Sequence, residues 1–268
     1  MRAVVPDVAP YPRRMLRFHQ SACDLLGLAP TVDLDERAAI AERERWLGVR
    51  LPAAVVEWYS LRGAMDVLAG ATGDRALGAA ELGEPSDGWG GGLTQLVRQG
   101  LLVIRVEHQG ACHWAVRLDD GTDPRVLVEV GSQSNGVIWR LHAASFSDYV
   151  FTLAWDRLAF VLPYCLAAQD LPLERRDLAL LEQEFAQRQR TWAWPGHTNY
   201  RFERGDQRVV IWEGDGQADW SLLAGSAEGL EALGRTLWDC GGLASSLYAP
   251  AGEPGSEEVL AALRASLE

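Results

Sequence analysis

Apolar and polar positions divide the chain into a helical opening, a strand-rich middle, and a last stretch that again runs strands before a helix. Between residues 13 and 28, Met15, Leu16, Phe18, Leu25 and Leu26 predict a short helix that Gly27 and Pro30 stop. Asp33 or Asp35 then caps a helix whose apolar face includes Ile40 and Leu47, with Glu42, Arg43, Glu44 and Arg45 as its solvated side. Gly48 fits the left-handed position past its end, where a side chain would strain the turn. After Val49-Arg50-Leu51, Pro52 opens another helix, because a first-turn residue needs no amide donor. Val55, Val56 and Tyr59 form its apolar face and Gly63 ends it.

Residues 64–100 are weakly patterned, and SDGWGGG at 86–92 reads as a flexible loop. Three strands follow at 101–107, 112–118 and 125–130, separated by His108-Gln109-Gly110-Ala111 and by the turn text of 119–124. A fourth strand is expected over 137–141. Ser145 caps a helix carrying Phe146, Val150, Phe151 and Leu153. Residues 169–190 predict a connecting helix, with Leu171, Leu178, Leu181 and Phe185 against charged neighbours. Strands at 200–204 and 208–212 form a hairpin through Gly205-Asp206, and 219–224 adds a third strand. Ser226 caps a helix with Leu230, Leu233 and Leu237, and 257–267 is a terminal helix.

The expectation is therefore an α+β protein. An antiparallel sheet flanked by N-terminal and C-terminal helices is joined to a smaller C-terminal β-meander and helix. The predicted organisation is an arm and short helix over 1–32, a domain over 33–156, connecting helices over 157–190, and an accessory unit over 191–268.

Composition narrows the function classes. Of 268 residues, 48% are hydrophobic and 23% charged, as in an ordinary globular protein. No apolar run reaches the roughly 18–20 residues of a membrane helix. The N-terminus lacks the apolar core of a secretory signal, so a cytoplasmic address is expected. The net charge of −12 argues against direct nucleic-acid binding and suits a basic protein partner. Every cation is arginine, which removes Schiff-base and phosphate-loop mechanisms that need lysine. The four cysteines, Cys23, Cys112, Cys165 and Cys240, form no CxxC pair and read as buried thiols.

IAERERWLGVRLP at 40–52 reads as a helix followed by Leu-Gly, a short link and Leu-Pro, with Glu57, Tyr59 and Gly63 continuing it. Glu107-His108-Gln109-Gly110 is followed by Trp114-Ala115-Val116 and Asp119-Asp120, and Phe146-Ser147-Asp148-Tyr149-Val150 comes after them. In this order, over residues 34–156, the motifs resemble the SUKH superfamily, small α+β domains of bacterial immunity proteins and of a yeast regulator of cell-wall synthesis. The first is similar to the family's opening helices, the second to its Glu-Asn-Gln-Gly and Trp-Ala-Val hairpin, and the third to its closing helix. His108 stands where the family usually has asparagine, a residue better suited to a tight turn. The resemblance implies a non-catalytic protein-binding module, most specifically an immunity protein that occludes the active site of a cognate toxin. The alternative within the binding class is a regulatory scaffold with several partners.

Glu107, His108, Cys112 and His113 are close in sequence, but Cys112 and His113 diverge if both lie in one strand, so no metal or nucleophile role is assigned. A hydrolase using Glu107 with His108 or His113 is the enzyme alternative. It requires a pocket in which those groups converge. No cofactor motif is found. The expected partner-binding residues are Trp89, Glu107, Gln109, Asp119 and Asp120 in the first unit. In the second they are Glu213, Asp215 and Asp219, an acidic hairpin bordered by Trp212 and Trp220.

Overall fold

The computed structural model describes residues 16–70, 74–83, 93–133, 136–192, 196–250 and 254–267. It is an α+β fold with two antiparallel sheets. The opening helices are α1 (Gln20–Leu26), α2 (Leu34–Leu47) and α3 (Ala53–Tyr59). Asp33 caps α2 by accepting from the amides of Asp35 and Glu36, and Gly48 ends it at φ 68°. The Glu57 carboxylate accepts from the amides of Arg17, Phe18 and His19, which ties α1 to α3.

The weakly patterned stretch holds structure that its sequence did not advertise. Gly63, expected to end α3, instead precedes a further helix, α4 (Ala64–Gly70). Beyond it come β1 (Arg75–Ala76), a 3-10 turn at Ala79–Glu81 and α5 (Leu93–Arg98). Elements this short complete too few turns for a periodic face to emerge. The first sheet runs in order through β1, β2 (Leu101–Val106), β3 (His113–Arg117), β4 (Val126–Gln133) and β5 (Gly136–Ala143). Helix α6 (Phe146–Phe160) follows, with the Ser145 hydroxyl accepting from the Asp148 amide as predicted.

The largest difference from expectation lies between 157 and 190. Residues 164–171 are not part of a helical connection but a strand, β6 (Tyr164–Leu171), and the helix α7 is confined to Arg175–Glu184. The apolar run 158–166 spans the end of α6 and the start of β6, so periodicity alone could not separate them; Pro163 marks the break. The remaining strands are β7 (Ala186–Gln187), β8 (Thr191–Trp192), β9 (Thr198–Arg204), β10 (Gln207–Gly214) and β11 (Gln217–Ala224). Their order is β6-β11-β10-β9-β7, with β8 beside β9. The chain closes with α8 (Ala227–Leu237), α9 (Leu243–Ser246) and α10 (Pro254–Leu267). Among the described residues, no helix is long and apolar enough to cross a membrane.

Alternation on the second sheet gives it two distinct faces. Phe202, Val209, Ile211, Trp220 and Leu222 pack with Leu230, Leu233 and Leu237 of α8 and Leu263 of α10. The opposite face turns toward α6, which serves both sheets. Its Phe146, Tyr149, Val150 and Leu153 belong to the first core. Its Trp155 and Ala159 pack against Cys165 and Leu223 of the second sheet.

Polar contacts reinforce this junction. Arg201 of β9 donates through Nε and Nη2 to both carboxylate oxygens of Asp156, at 2.6 and 2.7 Å. Its Nη1 donates to the Thr191 hydroxyl at 3.0 Å. Arg201 and Asp156 are 3% and 7% exposed, so each would be a buried uncompensated charge without the other. The Trp155 indole donates to Glu203 at 2.6 Å. We predict that Arg201→Met, which strands Asp156, destabilises the protein by about 3–5 kcal/mol. An Arg201→Met, Asp156→Leu double variant should recover most of that loss. Urea unfolding of both variants checks the pair, and equal destabilisation in the two would contradict it.

Candidate functional site

The two sheets and α6 enclose a cavity of about 570 Å³. The first sheet and the segment before it contribute Asp74, Arg105, Glu107, His108, Trp114 and His142. Helix α6 contributes Thr152, Asp156 and Phe160, and the second sheet contributes Asn199, Arg201, Trp212, Asp219 and Ser221, with Tyr248 beyond it. The strand period explains the second wall. Trp212 pairs across the ladder with Asp219 on one side and Asn199 on the other, which sets all three on the face toward α6. Phe160, Trp212 and Tyr248 keep 52%, 42% and 40% of their surfaces exposed, so the cavity has an aromatic rim.

Charge inside the cavity is arranged in pairs. Arg105 donates to Asp74 at 2.5 Å, and its guanidinium lies 4.8 Å from the Trp114 ring centre. Arg201 is matched by Asp156. Two further carboxylates stand on opposing walls. Asp219 has no salt-bridge partner among the described residues; its Oδ1 accepts from the Asp170 amide at 3.1 Å. Glu107 shapes the β2–β3 turn by accepting from the Gln109 and Ala111 amides, and has His108 as its ionic neighbour at 2.5 Å. Partial desolvation raises the Glu107 pKa, but the two amides and His108 outweigh it and hold the carboxyl below its ordinary value.

Asp74, Glu107 and His108 place potential ligand atoms within 4.8 Å of one another. Both carboxylates already serve protein donors, Arg105 for Asp74 and two backbone amides for Glu107. The group reads as a salt-bridged turn, and no metal is assigned to it.

His108 meets Glu107 at the β2–β3 turn, but His113 stands apart from both. His113 is 1% exposed, and its Nδ1 lies 2.7 Å from Glu129, a buried partner away from His108. His108 is exposed at the turn. Of the pair expected to diverge, Cys112 lines the cavity and His113 does not. Burial pushes the Cys112 thiol up to about 12, with nearby carboxylates adding to the effect. A thiol held so strongly protonated is a poor nucleophile.

His142 is a buried neutral imidazole. Its Nδ1 donates to the Trp192 carbonyl, so that nitrogen carries the proton. The Trp114 indole nitrogen, 3.4 Å away, also points at Nδ1, but a protonated nitrogen cannot accept. Burial pushes the His142 pKa down to about 3; the carbonyl contact opposes this, while Arg201 and Arg105 add to it.

The expected site residues separate into groups. Glu107 and Asp219 line the same cavity. Gln109 is exposed on the neighbouring turn and contributes its backbone amide to Glu107. Asp119 and Asp120 sit at the β3–β4 turn, at the other end of β3 from Glu107. There they pair with Arg117 and Arg125, which lower both carboxyl pKa values. Glu213 lies in β10, paired with Ala218, and Asp215 at the β10–β11 turn at φ 53°, both outside the cavity lining. Trp89 lies outside the described residues. The seven described positions therefore do not form one patch.

Sequence reasoning missed Asp74, Arg105, His142, Asp156 and Arg201, because segments far apart in the chain meet only in the fold. The one local signal was the acidic hairpin bordered by tryptophans, which did point to Trp212 and Asp219. Comparison with protein-family models, curated proteins and solved structures found no match.

The state of His142 has a pH consequence. The unfolded imidazole takes up a proton near its ordinary 6.5, while the folded one resists until about 3. Between these values the unfolded chain binds more protons, so stability is lost as pH falls. We predict that His142→Asn, which retains a donor for the Trp192 carbonyl, has a shallower stability loss below pH 6.5. The difference approaches about 1.4 kcal/mol per pH unit. Denaturant unfolding at a series of pH values checks this, and parallel profiles would contradict it.

Proposed function

We propose that the protein is a non-catalytic protein-binding module, and specifically an immunity protein that neutralises a cognate toxin by covering its active site. The observation that carries the binding reading is the cavity between the sheets, with its exposed aromatic rim and its carboxylates on opposing walls. Solvent-exposed aromatic side chains beside a concave surface are characteristic anchors for a partner. Cys112, His113 and His142 are held in structural roles by burial or hydrogen bonds, which supports binding over chemistry at this site.

The immunity assignment rests on the resemblance of residues 34–156 to the SUKH superfamily. The net charge of −12 favours a basic partner, because complementary fields speed association and fix orientation. The reading places the protein in the cytoplasm with its toxin. It needs no cofactor and no contact with nucleic acid or membrane.

The test is capture on immobilised protein from lysate of its source, with washes in salt that shortens the Debye length to about 3 Å. The expected result is one stoichiometric basic protein whose activity is abolished when the two are mixed. Asp219→Lys should weaken that complex about tenfold or more. A retained basic protein whose activity is unaffected overturns the immunity assignment. Several sub-stoichiometric proteins lost with salt favour the regulatory-scaffold alternative.

A further inference from the structure

The cavity's chemistry defines more narrowly what a partner would insert. Two of its cations are compensated within the wall, Arg105 by Asp74 and Arg201 by Asp156. The carboxylate left without a salt-bridge partner among the described residues is Asp219 on the second sheet, whereas Glu107 on the other wall is already engaged by His108 and two backbone amides. The Trp212 ring stands partly bare on the same face as its cross-strand neighbour Asp219. An aromatic face beside a carboxylate attracts a cation through the ring quadrupole and through a charge-assisted hydrogen bond together.

The protein repeatedly stacks its own arginines on tryptophans. The Arg43 guanidinium lies 4.0 Å from the Trp46 ring centre, that of Arg105 4.8 Å from Trp114, and that of Arg140 5.2 Å from Trp192. Trp212 has no such internal cation among the described residues; its ring contact is the edge of His197 at 4.6 Å.

We propose that this cavity is a receptor for a guanidinium group, supplied by an arginine on an exposed loop of the partner. The inference rests on the protein-binding reading above and specifies the occupant of its site. Charge complementarity selects a cation. The flat rim and the carboxylate favour guanidinium over ammonium, because the planar and weakly hydrated group can stack and fork at once, whereas ammonium holds its water. The volume of about 570 Å³ lies within the roughly 300–1,000 Å³ of clefts that seat small ligands, which leaves room for the loop residues beside the arginine.

The probe is acetyl-arginine amide, titrated against the full chain while the indole N–H resonances are followed by NMR. Acetyl-citrulline amide is its neutral planar counterpart, and acetyl-lysine amide with a free ε-amine its ammonium counterpart. The expected result is a saturable shift of the Trp212 indole with a dissociation constant of about 1–10 mM, as suits a single side chain. Lysine should bind more weakly and citrulline about tenfold more weakly or not at all. Asp219→Asn should reduce the arginine affinity read at the Trp212 indole about tenfold or more while the other indole resonances keep their positions, which shows the fold intact.

Equal binding of citrulline and arginine overturns the proposal, as does absence of a saturable shift up to about 50 mM. The two readings fail separately. Capture of a toxin without arginine binding removes only the guanidinium receptor. Arginine binding without any captured protein keeps the receptor and removes the protein partner.

Discussion

The buried pair of Asp156 and Arg201 is the constraint around which the two sheets are arranged. A carboxylate and a guanidinium taken out of water each carry a desolvation cost of several kcal/mol, and only close, well-directed pairing offsets it. The bidentate contact meets that demand, and Thr191 takes up a remaining guanidinium proton. Because Asp156 belongs to α6 and Arg201 to β9, the requirement fixes helix against sheet. The Trp155–Glu203 hydrogen bond and the His142–Trp192 contact extend the same junction along its length. The width of the cavity follows from these contacts, since both members of the pair line it.

That origin accounts for the cavity's character. Polar groups at the junction are committed to holding the sheets together, so the deep wall is charged yet internally neutralised. Uncommitted charge and bare aromatic surface occur nearer the mouth, where Trp212 and Tyr248 stand at the edge of the second sheet's inner face. A site organised this way presents a rigid base and a receptive rim, the arrangement in which a recognition surface loses least entropy when occupied.

Much of the architecture was legible because local signals were strong. Asp33, Gly48, Pro52, Ser145 and Ser226 each act through their own backbone neighbours, and each marks a helix end close to where it was expected. The hairpins over 101–117 and 198–224 announced themselves by short apolar, strand-favouring runs bounded by turn residues. The failures have a common physical source. Strand β6 was hidden inside an apolar run shared with α6, and the small elements between 64 and 100 are shaped by tertiary packing of Val67, Leu68, Leu77 and Leu82. The candidate site was legible only in fragments, since Glu107 and Asp219 were visible as acidic turn and strand residues but their meeting across a cavity depends on long-range pairing. Asp119 and Asp120, equally acidic in sequence, are tied to arginines of their own turn.

The position of β6 also dictates an order of assembly. This strand emerges immediately after α6 but finds its hydrogen-bonding partner in β11, so that Tyr164 must wait for Ala224. The helices and sheet before it can close on themselves while the ribosome is still making the rest, leaving Trp155, Ala159 and an unpaired strand edge uncovered. Loop closure over such a separation is slow compared with hairpin formation. The surface that ends as the interior of the junction therefore begins as an uncovered apolar face beside an open strand edge, the kind of edge that invites pairing with another chain.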